Sequence, residues 1–147
     1  MIMGIGTDIV SVARFSDWET WPTKKLASVF GERELQLCLT DDSCEHYLKQ
    51  KLASRFAAKE AFFKSFSSLL VQLNATEQQF TLLFVARHVQ VLSGSWGVPY
   101  LHVAWAAFEK KLKRALPAID VQLSLSHERE YAVAFVVCQV QAFKERE

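Results

Sequence analysis

The chain has 147 residues, 50% hydrophobic and 22% charged, so it can bury one substantial core and we expect a single domain spanning residues 1–147. Its net charge of +1 is too small to favour non-specific nucleic-acid binding, which needs a strong basic excess. There is neither a run of about 20 apolar residues, as a membrane span requires, nor a basic segment with a cleavage site, as a secretory signal requires. The three cysteines include no C-x-x-C pair and are typical of free thiols, so we expect a soluble cytoplasmic protein.

The first half of the chain predicts one strand followed by helices. β-Branched residues in IMGIGTDIV predict a strand, and we expect SVARFSDW to form a helix that ends near Pro22. Apolar spacing predicts helical structure in TKKLASVFGERELQLC. The turn residues TDDSCE then precede a long helix from about His46 to Phe66.

The second half predicts most of the sheet. QFTLLFVARHVQVL is predicted to be a strand, SGSWGVPY a hairpin connection and YLHVA the returning strand. AWAAFEKKLKRAL predicts an amphipathic helix that ends before Pro117, and two strands, IDVQLSLSH and YAVAFVVCQVQ, follow around the turn ERE. This order predicts an α+β fold with an antiparallel sheet and a long central helix.

Asp8 is the first candidate functional residue. Because side chains alternate along a strand, it shares a face with Gly4 and Gly6, which leave space beside the carboxylate for a backbone or a ligand. An aspartate here is also typical of a helix N-cap or a turn, and the residues alone favour that structural interpretation.

Glu60 and Lys64 extend the apolar stripe of the long helix formed by Leu48, Leu52 and Phe56. A Glu–Lys pair with this spacing can be a surface salt bridge that contributes only about 0.2–0.5 kcal/mol. A carboxylate and an ammonium leaving an apolar face together can instead hold a metal ion and a phosphate. The spacing leaves both interpretations open.

Three further residues receive structural interpretations at this point. Arg55 and Lys59 indicate that the long helix also has a solvent-exposed side. His127 ends the apolar face of IDVQLSLSH, and a histidine in such a place is more often packed and bonded to backbone than a ligand.

Three segments taken together carry a family resemblance: GIGTDIVSVARF, RFAAKEAFFKSF and SLSHEREYAVAFVV. In this order they resemble the holo-acyl-carrier-protein synthases, the short, single-domain class of 4′-phosphopantetheinyl transferases. VFGERELQLC and GVPYLHVA are similar to that family's intervening segments, so the resemblance spans essentially the whole chain. It implies transfer of 4′-phosphopantetheine from coenzyme A to a serine of apo-acyl-carrier protein, with release of adenosine 3′,5′-bisphosphate, in fatty acid biosynthesis.

The resemblance also implies a role for individual residues. Asp8 and Glu60 match the family's magnesium ligands, and Mg²⁺ prefers such oxygen ligands. Lys64 matches the lysine that faces the phosphates, so the implied catalytic residues are Glu60 and Lys64. Arg55 and His127 match positions that bind the nucleotide end of coenzyme A.

The implied partners are coenzyme A, acyl carrier protein and further copies of the chain in a homotrimer. The family places its active sites between subunits, with Asp8 across from the helix of a neighbour. Arg14 matches an arginine that the family presents to the acidic carrier, and Lys24 and Lys25 could extend that basic patch.

One segment departs from the family. After KSF the family usually has a glycine-rich turn close to coenzyme A, whereas this chain has SSLLVQL, so the helix could continue past Phe66. The departure keeps an alternative open, namely a catalytically silent module that binds acyl carrier or coenzyme A. A generic α+β interaction domain is a third possibility, but the complete set of motif residues disfavours it.

Overall fold

A three-stranded antiparallel sheet, with a long helix on one face, positions the residues singled out above. The structure is a computed structural model and describes residues 3–40 and 48–141. The helices and strands are β1 (Met3–Ser11), α1 (Thr23–Phe30), α2 (Glu32–Leu39), α3 (Leu48–Gln72), α4 (Leu82–His88), β2 (Val89–Ser93), β3 (Pro99–Val103), α5 (Trp105–Leu112), β4 (Ile119–His127) and β5 (Tyr131–Val140). The predicted α+β class is confirmed.

The strand order in the main sheet is β1–β5–β4, and β2 and β3 form a separate hairpin. The register places Asp8 opposite Ala134 and His127 opposite Ala132. Because both alanines lie on the buried face of β5, Asp8 and His127 lie on the face of the sheet that α3 covers. They are on different strands, however, one on each side of β5.

Two glycines allow α3 to lie directly on β1. A methyl group on Gly4 would overlap the carbonyl oxygen of Ser65, and one on Gly6 would overlap that of Ala61. The Ser65 hydroxyl fixes this contact, because it donates to the carbonyl of Gly4 at 2.8 Å and accepts from the N–H of Cys138 at 3.1 Å. The space predicted beside Asp8 is therefore occupied by the backbone of α3.

Aromatic side chains form much of the core between α3, α4 and α5. Phe62 and Phe66 stack with ring centres 5.4 Å apart, and Phe108 meets Phe66 edge-on at 5.2 Å. All three rings are almost completely buried. The aromatic residues after Glu60 therefore anchor the long helix in the core.

Two local predictions are wrong. SVARFSDW does not form an α-helix; instead Val12–Phe15 and Asp17–Thr20 are short 3₁₀ turns. The predicted strand QFTLLFVARHVQVL divides into α4 and β2, because the Thr81 hydroxyl caps α4 by accepting from the N–H of Phe84 at 3.1 Å.

The long helix itself is confirmed and continues past Phe66 to Gln72. Its predicted start at His46 lies outside the described residues, as does Cys44. Cys38 and Cys138 are buried free thiols. Within residues 3–40 and 48–141, no helix is long and apolar enough to cross a membrane.

Candidate active site

Asp8 meets α3 of its own chain at the point where Glu60 and Lys64 end the apolar stripe. Lys64 Nζ lies 2.9 Å from Asp8 Oδ1 and also donates to the carbonyl of Thr7 at 2.9 Å. Asp8 lies within β1, so it is not a helix N-cap. The prediction that Asp8 faces the helix of a neighbouring subunit is wrong for its contact with Lys64. The glycines of β1 bring α3 of the same chain against Asp8.

The two carboxylates of this cluster crowd one another. Burial raises the pKa of Glu60, and the neighbouring Asp8 carboxylate raises it further, while the cations Arg14 and Lys64 lower it. Asp8 Oδ2 is buried, and no donor among the described residues reaches it. A divalent cation fits this arrangement, since it would satisfy the unpaired oxygen and offset the repulsion.

The carboxylate pair could not coordinate a metal ion entirely by itself. No group of three or more metal-ligating side chains is present in the described part of the chain. This suits Mg²⁺, which keeps several waters and binds substrate phosphates together with one or two carboxylates.

Arg55 and His127 line a separate cavity of about 390 Å³ between α3, the β2–β3 hairpin and the end of β4. Arg55 Nη1 donates to the carbonyl of Lys51 at 3.3 Å, whereas its Nε is buried with no partner among the described residues. His127 is exposed rather than packed, so its structural interpretation is wrong. The other residues that line this cavity are Gln50, Lys51, Ser54, Val91, Ser93, Gly97, Pro99 and Leu125.

The cavity and the carboxylate pair lie on different sides of α3. Glu60 follows Arg55 by five positions, which corresponds to about 7.5 Å along a helix axis and about 140° around it. The cavity includes His127 from β4, whereas the carboxylate pair includes Asp8 from β1. The two groups of candidate residues therefore lie apart from one another within one chain.

A second charged pair lies inside the protein. Lys59 Nζ is 2.8 Å from Glu34 Oε2, and both side chains are fully buried. Lys59 also donates to the carbonyls of Ala86, at 2.9 Å, and Val89, while Glu34 Oε1 accepts from the N–H of Val91 at 2.9 Å. The prediction that Lys59 lies on an exposed side of the helix is wrong.

Desolvation dominates the electrostatics of this pair. Burial raises the pKa of Glu34 to about 7, although the Lys59 ammonium and the N–H of Val91 act in the opposite direction. Burial likewise lowers the pKa of Lys59. Removing charges from water therefore outweighs their mutual attraction here.

The basic residues predicted to meet a carrier are all exposed. Arg14 lies in the turn after β1, and its charge lowers the pKa of Glu60, so it is close to the carboxylate pair. Lys24 and Lys25 are on α1, and Lys25 Nζ lies 3.6 Å from the ring centre of Trp21. The three side chains are accessible to a partner.

Comparison with known proteins identifies the family to which the chain belongs. The family model of the 4′-phosphopantetheinyl transferase superfamily matches residues 4–136. The holo-[acyl-carrier-protein] synthase of Treponema pallidum subsp. pallidum is 35% identical over 139 residues, which cover 95% of this chain and 97% of the relative. The chain belongs to the holo-[acyl-carrier-protein] synthase family of 4′-phosphopantetheinyl transferases. The synthase of Halothermothrix orenii is also 35% identical, over 138 residues that cover 93% and 97% of the two chains.

Solved structures of other synthases share the fold. The Chronobacterium ammoniagenes ACPS–CoA complex has a TM-score of 0.74 and 26% identity, covering 97% of this chain and 100% of that one. The Neisseria meningitidis synthase has a TM-score of 0.63 and 27% identity, covering 92% and 97%. As a holo-acyl-carrier-protein synthase, the chain transfers phosphopantetheine from coenzyme A to acyl carrier protein, consistent with a role in fatty acid biosynthesis.

Proposed function

We propose that this synthase uses Mg²⁺, directs a serine hydroxyl of apo-acyl-carrier protein at the pyrophosphate of coenzyme A, and releases adenosine 3′,5′-bisphosphate. The observation that carries the proposal is the convergence of Asp8, Glu60 and Lys64 at one edge of α3. Lys64 Nζ lies 2.9 Å from Asp8 Oδ1, while Asp8 Oδ2 has no partner within the described ranges. Phosphoryl transfer needs such a combination, because its catalysis consists mostly of positioning and charge stabilisation.

Each of the three residues has a distinct task. Asp8 and Glu60 would hold Mg²⁺, which when bound neutralises negative charge on the pyrophosphate. Lys64 has a 53% exposed side chain that can turn from Asp8 to the phosphates and stabilise the leaving bisphosphate. The Glu60 carboxylate could also take the serine proton, directly or through a water that it orients.

Coenzyme A would place its nucleotide end in the cavity that Arg55 and His127 line. The Arg55 Nε has no partner in the described part of the chain, and an arginine suits a phosphate ligand. Because this cavity and the carboxylate pair open on different sides of α3, we infer that coenzyme A spans two subunits. One subunit supplies the cavity, and its neighbour supplies Asp8, Glu60 and Lys64.

A homotrimer would also cover the outer face of the main sheet. On that face Ile5 is 56% exposed, Ile9 63% and Phe135 44%, and Tyr131 and Val133 are exposed beside them. Contiguous apolar surface of this kind is typical of an interface. A cyclic arrangement of three copies allows each subunit to meet two neighbours through different surfaces.

The carrier would dock on the basic residues Arg14, Lys24 and Lys25. The whole chain carries a net charge of only +1, so attraction for an acidic carrier has to come from a local patch. Arg14 lies close to Glu60, which would bring the carrier serine to the reacting phosphate. We also assign the protein to the cytoplasm, because Cys38 and Cys138 are free thiols.

Mass spectrometry of the carrier tests this proposal. Incubation of the protein with apo-acyl-carrier protein, coenzyme A and Mg²⁺ is expected to add phosphopantetheine to the carrier, and a chelator is expected to stop the addition until Mg²⁺ is restored. Asp8→Asn and Glu60→Gln should collapse turnover while circular dichroism shows a folded protein. Asp17→Asn and Glu32→Gln are matched controls, because both carboxylates are exposed and neither belongs to the candidate site.

Two results would contradict the proposal. A near-normal response to Mg²⁺ in both site variants would mean that Asp8 and Glu60 are not the metal ligands. Binding of coenzyme A by the wild-type protein with no adduct on any carrier tried would instead support a silent binding module.

A further inference from the structure

The cavity that Arg55 and His127 line also contains polar atoms of residues to which no role has been assigned. Gln50 Oε1 and Ser54 Oγ are buried with no hydrogen-bond partner among the described residues, like Arg55 Nε. All three residues line the cavity, and Ser54 is only 5% exposed. Buried polar groups without partners are unfavourable, so a ligand that pairs them gains affinity.

The chemistry of these atoms restricts what the ligand can be. Arg55 Nε can only donate, so it suits a phosphate oxygen. Gln50 Oε1 can only accept, and ionised phosphate offers acceptors as well, so a phosphate cannot satisfy it. A ligand that pairs Gln50 Oε1 therefore has to carry an N–H or O–H donor close to its anionic group. The Ser54 hydroxyl can pair with either kind of atom.

We propose that Gln50 and Ser54 recognise the adenine base of coenzyme A, an inference that rests on the function proposed above. Adenine carries an exocyclic amino donor and ring-nitrogen acceptors on neighbouring positions. Gln50 Oε1 accepts from the amino group, and the Ser54 hydroxyl donates to a ring nitrogen. The two residues are four positions apart on α3 and share a face, so both can meet one edge of the base.

Other residues of the cavity support this assignment. Pro99 and Leu125 are apolar members of the wall and can contact the flat faces of a base. Arg55 follows Ser54 directly, so a ligand held by both would have its phosphate next to its base. Hypoxanthine is the informative competitor, because it has a carbonyl where adenine has its amino group. Gln50 Oε1 would then face a second acceptor.

Calorimetric titration of the full-length protein with adenosine and inosine 3′,5′-bisphosphates tests the inference. We expect the wild-type protein to bind the adenosine compound at least about tenfold more tightly. Gln50→Leu should bring the ratio of the two affinities close to one, and Ser54→Ala should reduce it. Gln50→Glu keeps an acceptor, so it should retain the preference while its added negative charge weakens both nucleotides.

Matched controls come from exposed positions. Gln36→Leu on α2 and Ser68→Ala on α3 should leave both affinities unchanged, since neither residue lines the cavity. If the wild-type protein binds both nucleotides equally, or folded Gln50→Leu keeps the preference, base recognition by these residues is wrong. The carrier adduct would still form in that case, which separates this failure from failure of the proposed function. If Gln50→Leu does not fold, the Ser54→Ala ratio decides in the same way.

Discussion

Two lysine–carboxylate pairs lie on α3 with nearly the same geometry and opposite surroundings. Lys59 is 2.8 Å from Glu34, and both side chains are fully buried. Lys64 is 2.9 Å from Asp8, but 53% of its side chain is exposed. The separation of the charges therefore does not distinguish a structural pair from a functional one.

The difference lies in the other partners of each pair. The buried pair is enclosed by backbone, because Lys59 donates to carbonyls of α4 and β2, and Glu34 accepts from an N–H of β2. It joins α2, α3 and the hairpin, and neither side chain is accessible to solvent. In the exposed pair, Asp8 Oδ2 has no hydrogen-bond donor among the described residues, and the Lys64 ammonium is accessible to solvent. An incomplete set of partners is what makes a charged pair available for chemistry.

Replacing each lysine by methionine should affect different properties of the protein, turnover at Lys64 and stability at Lys59. Lys64→Met should lower kcat by about 100-fold or more, as loss of a transition-state donor does, yet change the free energy of unfolding by less than about 1 kcal/mol, because exposed pairs contribute little. Lys59→Met should destabilise the protein by about 3–5 kcal/mol, since Glu34 remains buried without its partner. Turnover and urea denaturation measured on both variants check this.

Replacing both members of the buried pair is the control. Glu34→Leu combined with Lys59→Met removes the unpaired buried carboxyl group and should recover much of the lost stability. Equal losses of rate in the two single variants, with both proteins fully folded, would mean that the pairs do not differ in role.

The pH dependence of stability should sharpen the comparison. Unfolded Glu34 releases its proton near the ordinary value of 4.5, whereas burial keeps it protonated to about 7 in the folded protein. Between these values the folded state binds more protons, so this residue makes the free energy of unfolding fall as pH rises from 5 to 7. Glu34→Gln should remove that part of the decline in urea denaturation, and Glu32→Gln should not. An identical slope in wild type and Glu34→Gln would refute the raised pKa.

The smallest effect is expected at the exposed basic patch. Arg14→Glu should raise the Michaelis constant for carrier several-fold at low salt, because pairs across a docking surface contribute about 0–1 kcal/mol each. The constant for coenzyme A should stay nearly unchanged, and the dependence on salt should flatten. Lys110→Glu on α5 is the matched charge reversal. Weaker binding of coenzyme A alone would place Arg14 in the nucleotide site instead.

The sequence predicts the positions of residues that depend only on the periodicity of one strand or helix. Alternation along β1 places Asp8 on one face with the two glycines, and the four-residue spacing places Glu60 and Lys64 together. A helix with one apolar stripe predicts a solvent-exposed opposite side and hence an exposed Lys59, whereas α3 also packs against α2, α4 and β2. The phenylalanines and leucines around its whole circumference were the available signal for that burial.

Features that depend on distant elements could not be predicted in the same way. The sequence of α4 predicts a strand as readily as a helix, because a short apolar run fits either structure and only the Thr81 cap distinguishes them. Glu34 lies far from Lys59 in the chain, so only the fold brings the two together. The cavity combines α3 with the hairpin and β4, which no spacing within one element reveals.

Gly4 and Gly6 determine how closely β1 approaches α3 at the candidate site, although neither residue carries a functional group. Any side chain at either position would push the strand and the helix apart, since the carbonyls of α3 already occupy that space. Such a substitution would shift Asp8 relative to Glu60 and Lys64, although none of these three residues is changed. The distance between β1 and α3 at the candidate site is thus set by the absence of a side chain at these two positions.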